Sequence, residues 1–266
     1  VFFVSLAPLR SVEIIVPTIS EAVGFAFYGG TVEPKEQLLS YLRSKQMLLV
    51  LDNYEHLLEG SGATDIVADI LATAPAAKLL ATSRDRLNVQ GEHRFHITGM
   101  SFPDWETPED ALEYSAVKLF LQSAGRVRPS FEPTVDDLSY VAHICRLVEG
   151  MPLAILLATA WVEILSPSEI AAEIRQSLDF LETDLRDVPK RQRSMRAVFD
   201  HTWDLLTECE KELFAGLSVF RGGFTRDAAR EIAGASLRDL MALVHKSLVH
   251  RTASGRYGVH DLIRQY

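Results

Sequence analysis

The sequence has 266 residues, 47% of them hydrophobic and 24% charged, with two cysteines and a net charge of −9. This length predicts one large or two to three small domains, and the apolar content excludes a disordered chain. The longest apolar run of the second half, Met151–Val162, is too short to span a bilayer, and no secretory leader opens the chain.

Cys145 and Cys209 form no ligand pattern, so a reducing, cytoplasmic setting is the expectation. The first residue, Val1, already belongs to a strand-like run, and the chain reads as a piece of a longer protein. Charge is uneven. Residues 190–266 hold 13 basic against 9 acidic side chains, a local +4, and residues 1–189 hold 14 against 27, a local −13. A basic end on an acidic body fits nucleic-acid contact or domain docking, and equally an ordinary solvated surface.

Val1–Leu6 predicts a buried strand, left at Ala7-Pro8-Leu9. Residues 11–23 have helical spacing, with Pro17 marking a break or a first turn. Gly29-Gly30 is a loop, and Leu38, Leu39 and Leu42 share one helical face. The run Met47-Leu48-Leu49-Val50-Leu51 ends abruptly at Asp52, as a strand buried on both faces of a parallel sheet would. Ligands of such sheets bind at the carboxyl ends of strands, where a carboxylate suits a hydrated Mg²⁺ beside phosphates. Starting a turn, or capping a helix, is the plainer role for Asp52.

A helix is predicted over 64–74, then a second strand, Lys78-Leu79-Leu80-Ala81-Thr82-Ser83-Arg84, and a third beginning at Phe95-His96-Ile97. Strands alternating with helices mean an α/β sheet. Its crevice would collect Asp52, Thr82 and Arg84, the arginine fork suiting a terminal phosphate or, more plainly, a surface salt bridge. From residue 104 helix follows helix: 109–124, 136–148, a restart at Met151-Pro152, and 169–181. The tight Gly150-Met151-Pro152 suits a binding wall or a plain helix corner. Helices over 194–206, 208–220, 227–233 and 237–245 precede a hairpin turning at Ser254-Gly255, the outline of a winged helix. A last helix begins at Asp261.

Taken in order, these pieces resemble the STAND ATPases, the nucleotide-switch family that includes NB-ARC proteins, and within it the large bacterial transcriptional regulators and their tetratricopeptide-repeat relatives. The matching stretches are Leu49-Val50-Leu51-Asp52-Asn53-Tyr54-Glu55-His56-Leu57-Leu58 (like a Walker B), Leu80-Ala81-Thr82-Ser83-Arg84 (like a sensor strand) and Glu149-Gly150-Met151-Pro152-Leu153-Ala154 (like the G-x-P motif). Further on, Leu217-Ser218-Val219-Phe220-Arg221-Gly222-Gly223-Phe224 resembles the winged-helix signature, and Val259-His260-Asp261 resembles M-H-D with valine for methionine.

The resemblance implies a P-loop NTPase-type parallel sheet without its first strand over 1–103, an all-helical lid over 104–188 and a winged helix over 189–266. It implies an ATP/ADP switch that closes on ADP and opens on ATP. Asp52 would hold Mg²⁺, Arg84 would sense the γ-phosphate with Thr82 nearby, Gly150 and Pro152 would wall the adenine, and His260 would contact the β-phosphate of ADP. It further implies effector and sensor domains outside this segment, DNA contact through attached domains, self-assembly on activation and no membrane.

The phosphate-cradling G-x-x-x-x-G-K-[ST] loop is absent, and the family places it upstream of Val1. The missing strand would lie beside those of Asp52 and Thr82, so exposed strand edges and poor solubility are expected. Asn53 stands where many hydrolytic relatives have a catalytic glutamate. Glu55 is the nearby substitute, and hydrolysis is expected to be slow. A second reading makes the winged helix a DNA-binding regulator with a vestigial nucleotide site, helix 237–245 entering a groove. Only Arg238 and Lys246 support it there, beside Leu240, Leu243 and Val244.

Overall fold

Three parallel strands carry the first third of the chain: β1 (Phe2–Ser5), β2 (Met47–Asp52) and β3 (Ala77–Ala81), in the order β1-β2-β3. The structure is a computed structural model, and it describes all residues except 59, 96, 104–107, 184–188, 190, 191, 247, 253 and 254. The side chains of 108, 109 and 201 also lie outside the described set. Two compact units result, one of residues 1–95 with 245–247, the other of 96–244 with 248–266.

In the first unit, helices α1 (Ile15–Ala22), α2 (Pro34–Arg43) and α3 (Asp65–Thr73) connect the strands. Pro17 falls in the first turn of α1, where a missing N–H is tolerated. Ile19, Leu38, Leu42 and Ile70 pack with Val4, Leu49 and Leu51 in one core. All these helices therefore cover the same face of the sheet. The opposite face carries the in-register row Phe3, Val50 and Leu80. Phe3 is 61% and Leu80 54% exposed, against 0% for Leu49 and Leu51. Burial alternates along the strands where the apolar run predicts burial on both faces, because within this unit side chains alternate and only one face has helices on it.

The third strand expected at Phe95 is absent from the described residues, His96 lying outside them. Phe95 and Ile97, on either side of His96, are 91% and 87% exposed.

Among its described residues the second unit is mostly helical, with a hairpin of β4 (Val249–Arg251) and β5 (Tyr257–Val259), paired antiparallel. Its turn includes Ser254, outside the described residues, as are the boundaries expected at 104 and 188. The helices are α4 (Pro108–Ala111), α5 (Ser115–Val127), α6 (Val135–Leu147), α7 (Pro152–Thr159), α8 (Pro167–Gln176), α9 (Met195–Asp204), α10 (Glu208–Leu217), α11 (Arg226–Ala233), α12 (Leu237–His245) and α13 (Asp261–Gln265).

The single helix predicted over 109–124 is thus two. Ser101 breaks it: its carbonyl accepts the Ala116 N–H at 3.0 Å, and its hydroxyl accepts the Ser115 N–H at 3.2 Å. Reciprocal capping boxes start α6 (Thr134 with Asp137), α8 (Ser166 with Glu169) and α10 (Thr207 with Glu210). Phe120, Ile144, Leu157, Ile170 and Leu262 share one core. A second gathers Leu213, Leu217, Phe224, Leu240 and Leu243.

The one-sided sheet makes a direct prediction. Leu49→Ala should destabilise the chain by about 2–5 kcal/mol through a core cavity, and Leu80→Ala by less than about 1 kcal/mol, read from urea unfolding. Equal losses would show both faces covered.

Candidate functional site

The sequence-predicted site residues fall into two sets, one in each unit. In the first, β2 ends at Asp52 because Asn53 takes a left-handed backbone (φ +66°), which asparagine tolerates better than most residues. The chain turns away there, leaving Asp52 half-buried at the carboxyl edge of the sheet. Beside it, the Thr82 N–H donates to the Leu51 carbonyl at 2.9 Å, and the Tyr54 N–H donates to the Thr82 carbonyl at 3.0 Å. The Thr82 hydroxyl accepts the Asn53 N–H at 2.9 Å and donates to Asp52 Oδ1 at 2.7 Å. Thr82 thus uses both sides of its hydroxyl to orient the carboxylate.

Glu55 opens a single 3₁₀ turn, Glu55–Leu57, and its side chain is only 7% exposed. Oε1 lies 3.7 Å from Arg84 Nε, an ion pair between the two candidate residues. The salt-bridge reading of Arg84 is therefore realised, with Glu55 as its partner. Two further side chains brace the same loop. The fully buried Tyr54, its phenol pushed up to about 12 by burial, donates to the Ala63 carbonyl at 2.7 Å. His56 Nε2 meets the Leu9 carbonyl at 3.0 Å, and its Nδ1 meets Asn53 Nδ2 at 3.1 Å. A carbonyl can only accept and an amide nitrogen can only donate, so the proton sits on Nε2. The loop after β2 is stapled in this way to the loop after β1. Sequence reasoning missed the role of His56, which the long separation from Leu9 conceals.

In the second set, α6 ends in two successive left-handed residues, Glu149 (φ +46°) and Gly150 (φ +67°), and α7 restarts at Pro152, whose ring is exposed. The Met100 N–H donates to the Gly150 carbonyl at 2.8 Å. A Cβ on Gly150 would stand 2.1 Å from the Met100 carbonyl oxygen, and one on Gly99 2.3 Å from that of Glu149. Only glycine fits at either place. The left-handed backbone at Glu149, by contrast, costs a residue with a side chain roughly 1–2 kcal/mol.

His260 is the N-cap of α13, and its Nδ1 accepts the Leu262 N–H at 3.2 Å. The proton of the neutral ring is therefore on Nε2, 3.5 Å from Glu149 Oε2 and without a hydrogen-bond partner among the described residues. Burial pushes the imidazole down to about 4, outweighing the pull of Asp261. The ring is neutral near pH 7, and its approach to Glu149 is not an ion pair. Burial also raises the Glu149 carboxyl, an effect opposed by the Asp261 N–H that Oε1 accepts at 2.9 Å. Glu149 is a second residue that sequence reasoning passed over: it stands beside the G-x-P motif, and its partner is 112 positions away.

Among the described residues no group of three or more His, Cys, Asp and Glu side chains is gathered to hold a metal, and no helix is long and apolar enough to cross a membrane. A lone Asp52 carboxylate fits Mg²⁺ only in the way that ion is commonly held beside phosphates, by one or two carboxylates and water. The exposed side of α12 shows Leu237, Arg238 and Met241.

No family model matches the chain. It is 35% identical over 274 aligned residues, 99% of its length, to Mycobacterium tuberculosis and Mycobacterium bovis proteins named as HTH-type transcriptional regulators. It spans 30% of their length. It is 29% identical to the regulatory protein AfsR of Streptomyces griseus, over 85% of this chain and 22% of that one. It is 25% identical to TMV resistance protein N of Nicotiana glutinosa, over 90% and 19%. A solved structure of a signal-transduction ATPase with numerous domains (STAND) from Pyrococcus horikoshii, with a tetratricopeptide-repeat sensor, aligns at 18% identity and a TM-score of 0.32, covering 89% of this chain and 30% of that one. Along almost its whole length the chain is thus similar to bacterial proteins named as transcriptional regulators, and over most of it to a plant resistance protein.

Proposed function

We propose that this chain is the ATP/ADP-operated switch module of a regulatory protein. The observation that carries the reading is the buried Nε2–H of His260, a neutral donor without a hydrogen-bond partner among the described residues, on the same turn system as Gly150 and the exposed Pro152. Such a donor suits a phosphate oxygen, because an unpaired buried N–H is costly until an acceptor arrives. In this reading His260 contacts the β-phosphate of ADP and Pro152 lies against adenine. Thr82 holds the Asp52 carboxylate toward Mg²⁺, whose chemistry is to neutralise phosphate charge. Arg84 senses the γ-phosphate by exchanging its Glu55 partner for it. Glu55, engaged with Arg84, is the candidate to orient water for a slow hydrolysis.

The division at 103 and 188 into core, lid and winged helix belongs to the same proposal, with α10 to α12 and the β4–β5 hairpin as the winged helix. Effector and sensor segments of the whole protein would supply signal and output, including DNA contact and self-assembly. The names of the mycobacterial and Streptomyces relatives support regulation as that output. The partly apolar exposed side of α12 does not favour this helix itself as a DNA reader.

Nucleotide affinity is measured in the protein extended upstream of Val1 to the length of its mycobacterial relatives. Asp52→Ala should weaken Mg²⁺-ATP binding about tenfold or more and ADP binding less. Equal loss of both would remove the metal role. His260→Ala should release ADP and raise output without a signal, and unchanged basal output would remove it as a lock. The imidazole also sets a pH dependence. Its folded pKa of about 4 lies below the ordinary 6.5, so its contribution to stability is complete above about pH 6.5 and is lost as pH falls toward 4. Between pH 7 and 5 that loss is about 2 kcal/mol. Urea unfolding of His260→Gln should show a smaller acid loss than the parent.

A further inference from the structure

Glu149 occupies a left-handed backbone that glycine or asparagine would adopt at lower cost. Its position is imposed from outside: the Met100 N–H holds the Gly150 carbonyl, and neither Gly99 nor Gly150 leaves room for a Cβ. From this fixed turn the side chain reaches the start of α13, where Oε1 accepts the Asp261 N–H at 2.9 Å and Oε2 faces His260 Nε2 at 3.5 Å. The other carboxylate nearby is taken, since Asp261 Oδ1 accepts from Arg264 at 2.7 and 3.2 Å. The His260 ring is held from its opposite side by the Leu262 N–H on Nδ1.

We infer that Glu149 is the positioning residue of His260, the tie through which the Gly-x-Pro turn holds the Val259-His260-Asp261 segment. Its carboxylate caps the first free N–H of α13 and sets its second oxygen 3.5 Å from Nε2, which holds in place the ring whose tautomer the Leu262 N–H fixes from the other side. A displacement of the turn by a ligand on Pro152 would then reach the N-terminus of α13 through this side chain as well as through the core that Leu262 shares with α6 and α7. The consequence for nucleotide rests on His260 being the phosphate contact, whereas the tie itself does not.

The two are separable by experiment. Hydrogen exchange at the Asp261 and Leu262 amides and the imidazole ¹⁵N shifts of His260 read the tie in the chain as it stands. Glu149→Ala should raise exchange at Asp261 at least tenfold while leaving the amides of α6 unchanged, and should shift the His260 Nε2 resonance. Glu149→Gln, which keeps an acceptor oxygen, should preserve most of the Asp261 protection and still perturb the ring, and it carries the test if the alanine variant does not fold. In the upstream-extended protein, Glu149→Ala should weaken ADP about as much as His260→Ala, with no further loss in the double variant. Unchanged Asp261 exchange overturns the tie, and so do additive ADP losses. If Asp261 loses protection but His260→Ala leaves ADP affinity intact, the tie stands and the phosphate role of His260 falls.

Discussion

The second unit depends on one close approach of backbone to backbone, residues 99–100 against the turn at 149–150. Because a side chain on Gly150 would strike the Met100 carbonyl, the two segments meet through a 2.8 Å hydrogen bond with nothing between them. That contact sets where α7 restarts and so where the Pro152 ring is exposed, and it aims Glu149 at α13. His260 inherits its surroundings from the same turn. A buried hydrogen-bonding group is costly unless matched, and the His260 Nε2–H has no hydrogen-bond partner among the described residues, Glu149 Oε2 standing 3.5 Å away.

The first unit solves a comparable problem with a hydroxyl. A carboxylate at a strand end is free to rotate unless something fixes it, and Thr82 does so from the neighbouring strand while also capping Asn53. The loop after β2 is further tied by the Tyr54 and His56 hydrogen bonds. Beside this held carboxylate, Arg84 pairs with the largely buried Glu55 of the same loop. The sheet behind them is asymmetric, with helices on one face and an apolar row of Phe3, Val50 and Leu80 on the other. Parallel sheets are ordinarily covered on both sides. That open row is a face of the sheet and not the strand edge expected between Asp52 and Thr82, whose strands pair directly with one another.

The sequence by itself determined the alternation of strands and helices, the strand ending at Asp52, the restart at Pro152 and most helix positions, since apolar periodicity and capping residues are local and readable. It could not decide the break between α4 and α5, because the group that interrupts the helix, Ser101, lies 14 residues from Ser115. Asp52, Thr82, Gly150 and His260 were visible as motif residues. Their partners were not. The Glu55–Arg84 pair, the His56 staple and the reach of Glu149 to Asp261 exist only because folding brings together groups that sequence spacing leaves unrelated. Hydrogen bonds and ion pairs act within about 3–4 Å, and only tertiary structure decides which side chains come that near.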